Sequence, residues 1–331
     1  MANKRNNPKR DHHVLPEFYL KGFVIKKGEP FIWIYKRGEL YNPGQGKITN
    51  NPFKDSIRRA SVERDYYADP KDGGKKDFET FENRLEALEK PANPIFEKLR
   101  EHQTISEEEK LQFSIYIVQM HRRVQSGREM MKILVPRLVA NYEPAKEIFQ
   151  KLNWPDIPET RAYLKETSKR MAQKEGFDIQ MHLRAIPAAQ ESFLVETLQK
   201  MTWHFFTAPQ GHAFLTGDNP VFIPEQHGLG KNVSELSFPI STHVALVASW
   251  HRELKEGFFE ATPQVVKELN RRTAHKASRC LYFSQNPEWV VTLLNKSVCE
   301  YRPMHSAKSV FTVVKLVADG PESKPHLIFS L

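Results

Sequence analysis

The sequence predicts an α+β protein, in which strands near both ends of the chain form a mixed sheet and a large helical block lies between them. Apolar runs of strand type occur before residue 37 and again after residue 207. Between them, apolar residues recur mainly at helical spacing, which predicts a helical insert at about 77–206. Because no repeat, low-complexity tract or long Gly/Ser linker interrupts the sequence, we expect a basic, flexible N-terminus at 1–10 and one domain at 11–331.

The N-terminal β element is expected to be a hairpin. Residues 31–36 (FIWIYK) have the length and the aromatic and β-branched content of a buried strand. Residues 37–39 are suited to a turn, and residues 40–41 are expected to begin the return strand.

The helical block begins with two helices that have clear boundary signals. Apolar residues recur at i, i+3, i+7 and i+10 from Phe78, and Pro91 and Pro94 are expected to end this first helix. Ser106 is followed by three glutamates, which is typical of an N-cap with acidic residues in the first turn. A second helix is therefore expected to begin there and to run toward Gly127.

The C-terminal part is expected to alternate strands and helices. Pro263 is suited to the first position of a helix over 263–278, and a further helix is expected over 287–296. The predicted strands are short apolar runs at 213–216, 221–223, 244–249, 281–284 and 309–317.

Composition and charge exclude several classes of protein. With 40% apolar and 27% charged residues, the chain is folded rather than disordered or collagen-like. It has two cysteines, Cys280 and Cys299, no secretory leader and no membrane-spanning apolar run, so we expect a cytoplasmic protein that does not enter a membrane. The 49 Lys and Arg against 40 Asp and Glu give a charge of +9, which suits a nucleic acid or nucleotide as partner and identifies no protein partner.

Two adjacent histidines, His12 and His13, form the first candidate site. Histidine changes its charge near neutral pH, so either residue can serve as a metal ligand or as a general acid or base. Neighbouring side chains of a strand point to opposite faces, so we expect one histidine per site. The alternative is a surface histidine in a basic tail, or a partly buried histidine bonded to the backbone.

The second candidate site follows the apolar run at 213–216. Asp218 and Asn219 place a carboxylate and an amide at a strand end, where loops on a rigid scaffold carry function. Asp218 is therefore the best single catalytic candidate. The alternative is that Gly-Asp-Asn-Pro is a capped turn, because Asp and Asn bond nearby backbone groups and Pro220 fixes the exit of the chain.

Glutamates on the first predicted helix form a third candidate. Glu79, Glu82, Glu86 and Glu89 follow each other at steps of 3, 4 and 3 residues, which keeps them on one helical face. Stacked carboxylates can hold Mg²⁺ or Mn²⁺, so Glu82 and Asp218 are candidate ligands of a divalent metal. The alternative is a solvated helix face.

Three arginines are candidates for phosphate binding. Arg122 and Arg123 lie at the end of the second helix, and Arg271 lies on the helix that begins at Pro263. Their guanidinium groups can bind phosphate oxygens, or they can complement the helix dipole as C-terminal cations. Asn270 is expected to point inward toward the sheet, where it needs a hydrogen-bond partner.

The segments HHVLPEFYLKGF and FLTGDNPV resemble motifs of the bacterial family called domain of unknown function 4238, and the resemblance covers roughly residues 11–285. Gly217 is a departure, since similar sequences often have Ser at this position. The family has no assigned activity, so the resemblance implies positions rather than a mechanism. The residues that match its motifs are His12, His13, Pro16, Tyr19, Phe23, Thr216, Asp218, Asn219 and Pro220.

These observations favour a metal-assisted or general-base phosphodiester hydrolase similar to a nuclease, with His12 or His13 as base or ligand and Asp218 as metal ligand. One alternative is a non-catalytic module that binds nucleic acid or a partner, and another is a toxin-like or defence-associated interaction protein. The standard motifs of NTPases, dinucleotide-binding proteins, zincins and α/β-hydrolases do not occur in the sequence. The enzyme hypothesis requires the histidine pair and Asp218 to meet in space.

Overall fold

The computed structural model describes residues 10–37, 52–71, 75–141, 143–152, 155–174, 176–224, 228–296, 314–316 and 327–329. The strands are β1 (Asp11–His13), β2 (Phe31–Lys36), β3 (Phe53–Ser56), β4 (Val62–Arg64), β5 (Asp69–Pro70), β6 (Lys76–Asp77), β7 (Thr202–Thr207), β8 (Thr216–Gly217), β9 (Glu235–Pro239), β10 (Val244–Ser249), β11 (Gly257–Glu260), β12 (Cys280–Phe283), β13 (Val314–Leu316) and β14 (Leu327–Phe329). The helices are α1 (Glu17–Leu20), α2 (Thr80–Glu89), α3 (Ala92–Arg100), α4 (Glu107–Arg123), α5 (Gln125–Ala140), α6 (Lys146–Leu152), α7 (Pro158–Ala172), α8 (Phe177–Ala185), α9 (Phe193–Lys200), α10 (Pro263–Lys276) and α11 (Glu288–Lys296).

One sheet joins strands from the two ends of the chain, as the sequence predicts. Its strand order is β3-β2-β12-β8, and these pairings are antiparallel. Cys280 lies opposite Lys36 and Tyr282 lies opposite Ile34, so a C-terminal strand is in register with an N-terminal one. Together with the helical block, this sheet confirms the α+β class.

The two faces of this sheet have different neighbours because side chains alternate along each strand. Tyr35, Leu281 and Phe283 point to one face, where they form a core cluster with apolar residues of α10 and α11. Ile34 and Lys36 point to the opposite face, which carries more polar side chains. The second face is divided: Ile34 and Tyr282 are buried in the main hydrophobic core, whereas Lys36 at the end of β2 is exposed.

A second sheet has the strand order β11-β7-β10-β9. Its β11–β7 pair is parallel and the other pairs are antiparallel, so the sheet is mixed. β9 and β10 are buried along their whole length; β10 (VALVAS) is accordingly almost wholly apolar, whereas β9 (ELSFP) also buries Glu235 and Ser237. Trp203, Phe238 and Leu246 from this sheet belong to the main hydrophobic core, together with apolar residues of α3 and α4.

The helical block is anchored by α4, whose start agrees with the prediction. Ser106 and Glu109 form a reciprocal capping box: the Ser106 hydroxyl accepts from the Glu109 amide at 3.2 Å, and the Glu109 carboxylate accepts from the Ser106 amide at 2.9 Å. Phe113, Ile117 and Met120 from this helix are buried in the main core. Among the described helices, none is both long and apolar enough to cross a membrane.

Two prolines belong to helices, one in a first turn and one in an interior. Pro94, expected to end a helix, lies in the first turn of α3, where an amide would have no intrahelical acceptor in any case. Pro136 lies within α5 on an exposed side. The helical block ends with α9. The predicted insert extended to about residue 206, but residues 202–207 form strand β7 instead of a helix.

The strand predictions agree with the structure in part. β2, β10 and β12 occupy predicted positions, whereas 221–223 contributes a single bridge to β9. The expected return strand at 40–41 lies outside the described residues. Within the described residues, β2 pairs with β3 in an antiparallel arrangement. Of the last predicted strand, 309–317, the described part is β13.

Candidate functional site

The N-terminal and C-terminal motifs meet through Tyr19 and Thr216. The Tyr19 hydroxyl lies 2.6 Å from Oγ1 of Thr216 and donates to the carbonyl oxygen of Pro239 at 3.0 Å. Tyr19 is fully buried, and its ring stacks on Phe238. The two segments that carry the family resemblance are therefore joined by a buried hydrogen-bond chain.

His12 lies in a buried polar network beside α2. Its side chain is fully buried, Nδ1 accepts from the Tyr67 amide at 3.0 Å, and Nε2 lies 3.6 Å from a carboxylate oxygen of Glu82. The ring also packs on the Tyr67 ring. Glu82, one of the candidate metal ligands, thus faces His12, with 19% of its side chain exposed, rather than lying on a fully solvated helix face.

His13 points to the other side of β1, as expected for adjacent residues in a strand. Its Nε2 lies 3.0 Å from the Arg58 carbonyl oxygen and 3.7 Å from a carboxylate oxygen of Glu17. Its own carbonyl oxygen accepts from the Arg123 guanidinium at 2.8 Å. These contacts fasten β1 to the turn before β4 and to the end of α4.

Arg123 is the centre of the same buried network. Its side chain is 3% exposed and forms an ion pair with Glu89. Its Nε donates to the Tyr67 hydroxyl at 3.0 Å. The guanidinium therefore already has a carboxylate, a phenol and the His13 carbonyl as acceptors.

Asp218 holds the segment between α10 and β12. Its Oδ1 accepts from the Ser278 amide at 2.8 Å, and Oδ2 accepts from the amides of Arg279 at 2.7 Å and Cys280 at 3.2 Å. Burial raises the pKa of the Asp218 carboxyl to about 6, although the three amides and the nearby Arg37 act in the opposite direction. Asp218 is thus a backbone anchor that also stays titratable near neutral pH.

Asn219 extends from the same turn toward α5. Its Nδ2 donates to the Ser126 hydroxyl at 2.8 Å, and the residue is 4% exposed. Its buried Oδ1 has no hydrogen-bond partner among the described residues. The amide therefore links the turn to the helical block through one of its two polar atoms.

The other two candidate phosphate ligands have protein partners. Arg122 donates to the Ala185 carbonyl oxygen and to the Ser192 hydroxyl, each at 2.8 Å, so it bridges the end of α8 and the start of α9. Arg271 lies 2.8 Å from Glu268 in a partly exposed ion pair on α10. The inward orientation predicted for Asn270 is confirmed: its amide accepts from the Leu215 amide and donates to the Ala213 carbonyl oxygen, both at 3.0 Å.

A cavity of about 290 Å³ lies on the polar face of the β3-β2-β12-β8 sheet. Its floor consists of side chains that share this face through the strand register, among them Ile34 and Tyr282. The segment from Arg59 to Glu63 forms a wall, and Val14, which directly follows the histidine pair, also lines the cavity. The charged residues that line it are Lys36, Arg37, Asp55, Arg59, Glu63, Asp218 and Arg279.

The cavity brings Asp218 together with four cations that were not among the candidates. His12 and His13, both on β1, do not line it, so the described structure does not place the histidine pair and Asp218 in one cavity. Within the described ranges, no three His, Cys, Asp or Glu side chains are grouped as ligands for a metal ion. Cys280 lines the cavity as a protonated thiol, since burial raises its pKa to about 11.

Sequence reasoning missed the cavity because it depends on register. Alternation within FIWIYK places Ile34 and Lys36 on one face, but nothing local indicates that β12 lies beside β2. The sequence offered one indication of the cavity. Residues 53–63 contain the charged residues Asp55, Arg59 and Glu63 together with apolar residues.

The chain is thus an α+β protein in which N-terminal and C-terminal strands form one sheet, and a cavity with charged lining residues lies on one face of that sheet. The chain belongs to the family described as "Protein of unknown function (DUF4238)", whose model matches residues 11–287. No curated protein and no solved structure matches the chain at a significant level.

Proposed function

We propose that the protein binds a phosphorylated ligand in the cavity on the polar face of the β3-β2-β12-β8 sheet. The observation that carries this proposal is the grouping of Lys36, Arg37, Arg59 and Arg279 around one concave site of about 290 Å³. Cations that converge on a cavity are the usual means of holding phosphate oxygens, and Arg forms two parallel hydrogen bonds with them. The volume lies near the lower limit for small-molecule sites.

Arg37 is the anchor of this proposed site. One of its terminal nitrogens donates to the Ala274 carbonyl oxygen at 2.7 Å, and its buried Nε has no hydrogen-bond partner among the described residues. Burial lowers the pKa of the Arg37 guanidinium, with Asp218 acting against this shift. A bound oxyanion would supply the acceptor and the negative charge that this partly desolvated cation lacks.

Arg59 and Arg279 already have acidic partners in the cavity wall. Arg59 lies 2.5 Å from Asp55, and Arg279 forms an ion pair with Glu63. Both arginines are more than half exposed, so these surface pairs contribute little stability and can rearrange around a ligand. This distinguishes them from Arg123, whose ion pair is buried.

A matched pair of arginines tests the proposal. Arg279 and Arg271 are both partly exposed and ion-paired with a glutamate, but only Arg279 lines the cavity. In titration calorimetry with inorganic pyrophosphate at low salt, we expect Arg279→Gln to weaken binding about tenfold, the effect of one lost charge-assisted contact, and Arg271→Gln to leave it unchanged. Arg37→Gln should weaken binding more strongly. No pyrophosphate binding by the wild type, or equal effects of both substitutions, would refute the proposal.

A phosphodiester hydrolase is the second candidate function, because a carboxyl that titrates near neutral pH lies in the same cavity. With its pKa near 6, Asp218 can accept a proton from a water molecule that attacks phosphorus, while the bond to the leaving alcohol breaks and the alcohol oxygen takes up a proton. The three amide contacts hold the carboxylate in place for this role.

This candidate is tested with bis(4-nitrophenyl) phosphate, with and without Mg²⁺ or Mn²⁺. We expect hydrolysis that increases as pH rises through 6 and that Asp218→Asn abolishes, whereas Asp55→Asn, at the other carboxylate near Arg59, retains it. Thermal unfolding of each variant shows whether the protein is folded at the assay temperature. Binding of pyrophosphate without any hydrolysis at any pH would leave the binding proposal in place and reject the enzyme.

A further inference from the structure

We infer that the ligand of this cavity is a nucleoside monophosphate unit, whose base stacks on Phe53 while its phosphate binds at Arg37. The inference rests on the proposed phosphate site and adds the chemical class of the remainder of the ligand. Three observations support it: an aromatic ring on the cavity wall, apolar side chains at the cavity floor, and the number of cations and carboxylates in the lining.

Phe53 is an exposed aromatic residue in a functional position. It lies on β3 opposite Ile34, lines the cavity, and has 37% of its surface exposed. A single exposed phenylalanine on an open surface has no special meaning, but this ring belongs to a concave site with converging cations. The Lys36 ammonium lies over one face of the ring, 5.5 Å from its centre, so a phosphate-binding cation is in direct contact with the aromatic side chain.

The floor of the cavity also fits a planar, weakly polar group. Ile34 and Tyr282 lie opposite each other across β2 and β12, and Val14, Ala60 and Val62 also belong to the apolar part of the lining. Ile34, Tyr282 and Val14 are themselves buried, so a ligand that carried only phosphate would leave mainly Phe53 and Val62 in contact with water. A base stacked on an aromatic side chain gains affinity from that contact and does not need specific hydrogen bonds.

The charge of the lining limits the number of phosphates. The lining has four cations, and three carboxylates come from Asp55, Glu63 and Asp218, so the cations exceed the carboxylates by one. A triphosphate would bring its charge close to the carboxylates of Asp55 and Glu63. The cavity therefore suits a ligand with fewer phosphates than a triphosphate, and a free mononucleotide or the terminal nucleotide of a single strand meets this condition.

A second matched pair of residues tests this inference. Phe31 and Phe53 are both 37% exposed, and each has a lysine over its ring, Lys54 for Phe31 and Lys36 for Phe53. Their neighbouring strands place them on opposite faces of the sheet, because Phe31 lies opposite Ser56 and Phe53 lies opposite Ile34. Replacement by leucine removes the aromatic ring and retains apolar volume in both cases.

Titration calorimetry with AMP and with pyrophosphate measures the effect. We expect Phe53→Leu to lower the affinity for AMP at least fivefold more than the affinity for pyrophosphate, which is the lower limit for one stacked base, and Phe31→Leu to change neither. Equal effects on the two probes, or equal effects of the two substitutions, would overturn the nucleotide inference. Failure of pyrophosphate to bind the wild type would instead overturn the phosphate site itself.

Two further ligands distinguish the source of the nucleotide. If the site takes a strand end, a 5′-phosphorylated oligoadenylate should bind at least as tightly as AMP, and its affinity should show the same dependence on Phe53. If the site takes a free mononucleotide, the oligonucleotide should bind more weakly than AMP, since its chain must leave a cavity of about 290 Å³. In either case adenosine, which has no phosphate, should bind much more weakly than AMP. Adenosine binding as tight as AMP binding would contradict the proposal that the phosphate binds at Arg37.

Discussion

His182 shows how a single buried side chain sets a pH limit on the fold. The residue is 1% exposed, its Nε2 lies 2.9 Å from the Arg122 carbonyl oxygen, and its ring packs edge-on against Tyr66. Its Nδ1 has no hydrogen-bond partner among the described residues. Burial lowers the pKa of His182 to about 4, against an ordinary value of 6.5, so the folded protein holds it neutral.

The sign of the pH dependence follows from this shift. Between pH 6.5 and 4 the unfolded chain binds a proton at His182 that the folded protein does not, so stability falls as the pH falls through this window. At pH 5 the expected loss from this residue is about 2 kcal/mol. Asp218 acts in the opposite direction below pH 6, because its folded pKa is raised.

Urea unfolding at pH 7 and pH 5 isolates the contribution of His182. The difference in unfolding free energy between the two pH values should be smaller for His182→Gln than for the wild type, whereas His212→Gln, at an exposed position, should behave like the wild type. All three proteins carry the same Asp218, so its effect cancels. An unchanged pH difference in His182→Gln would show that His182 is not held neutral by burial.

At the scale of the element, local signals in the sequence were sufficient for helices with clear boundaries. The capping box at Ser106 and the proline at the start of α10 define those helices, and both form where predicted. Asn270 was expected to need an inward partner, and it binds the backbone beside β8. These features depend on residues within a few positions of each other, which a sequence displays directly.

Sheet assembly could not be predicted in the same way. β9 (ELSFP) was not among the predicted strands: it is short, contains Glu235 and Ser237, and ends in Pro239, and its local sequence does not indicate that all five residues are buried. The cavity depends on the register between β2 and β12, which no local pattern specifies. Of the predicted site, the polar turn at Asp218 lies in the cavity, whereas the partners Arg37 and Phe53 come from strands whose neighbours are set by tertiary packing.

At the scale of the whole molecule, one hydrophobic core contains residues that lie as far apart in the chain as Val14 and Tyr282. It runs from Val14 and Tyr19 through the helices α3 and α4 to Phe238 and Tyr282. Within it, several aromatic rings surround Phe96 at centre-to-centre distances between 5.0 and 6.1 Å. Because residues far apart in the chain share this cluster, we expect the domain to unfold cooperatively.

The Tyr19 hydroxyl is the most direct test of this connection. Tyr19→Phe keeps the ring that stacks on Phe238 at 5.3 Å but removes the hydroxyl that contacts Thr216 and the Pro239 carbonyl oxygen. We expect a loss of about 1–2 kcal/mol, because two buried polar groups lose a partner. The same change at Tyr163, whose side chain is 53% exposed, should cost less than about 0.5 kcal/mol.

Urea unfolding followed by far-UV and near-UV circular dichroism measures both effects. Since Tyr19 joins the N-terminal motif to the C-terminal sheets within one core, the two signals should shift together to a lower midpoint in Tyr19→Phe and keep a common transition. Separate transitions for the two signals would mean that the helical block and the sheets unfold independently. Equal losses in the two variants would mean that the buried hydroxyl adds nothing beyond an exposed one, and the ends of the chain would then be held together by apolar packing alone.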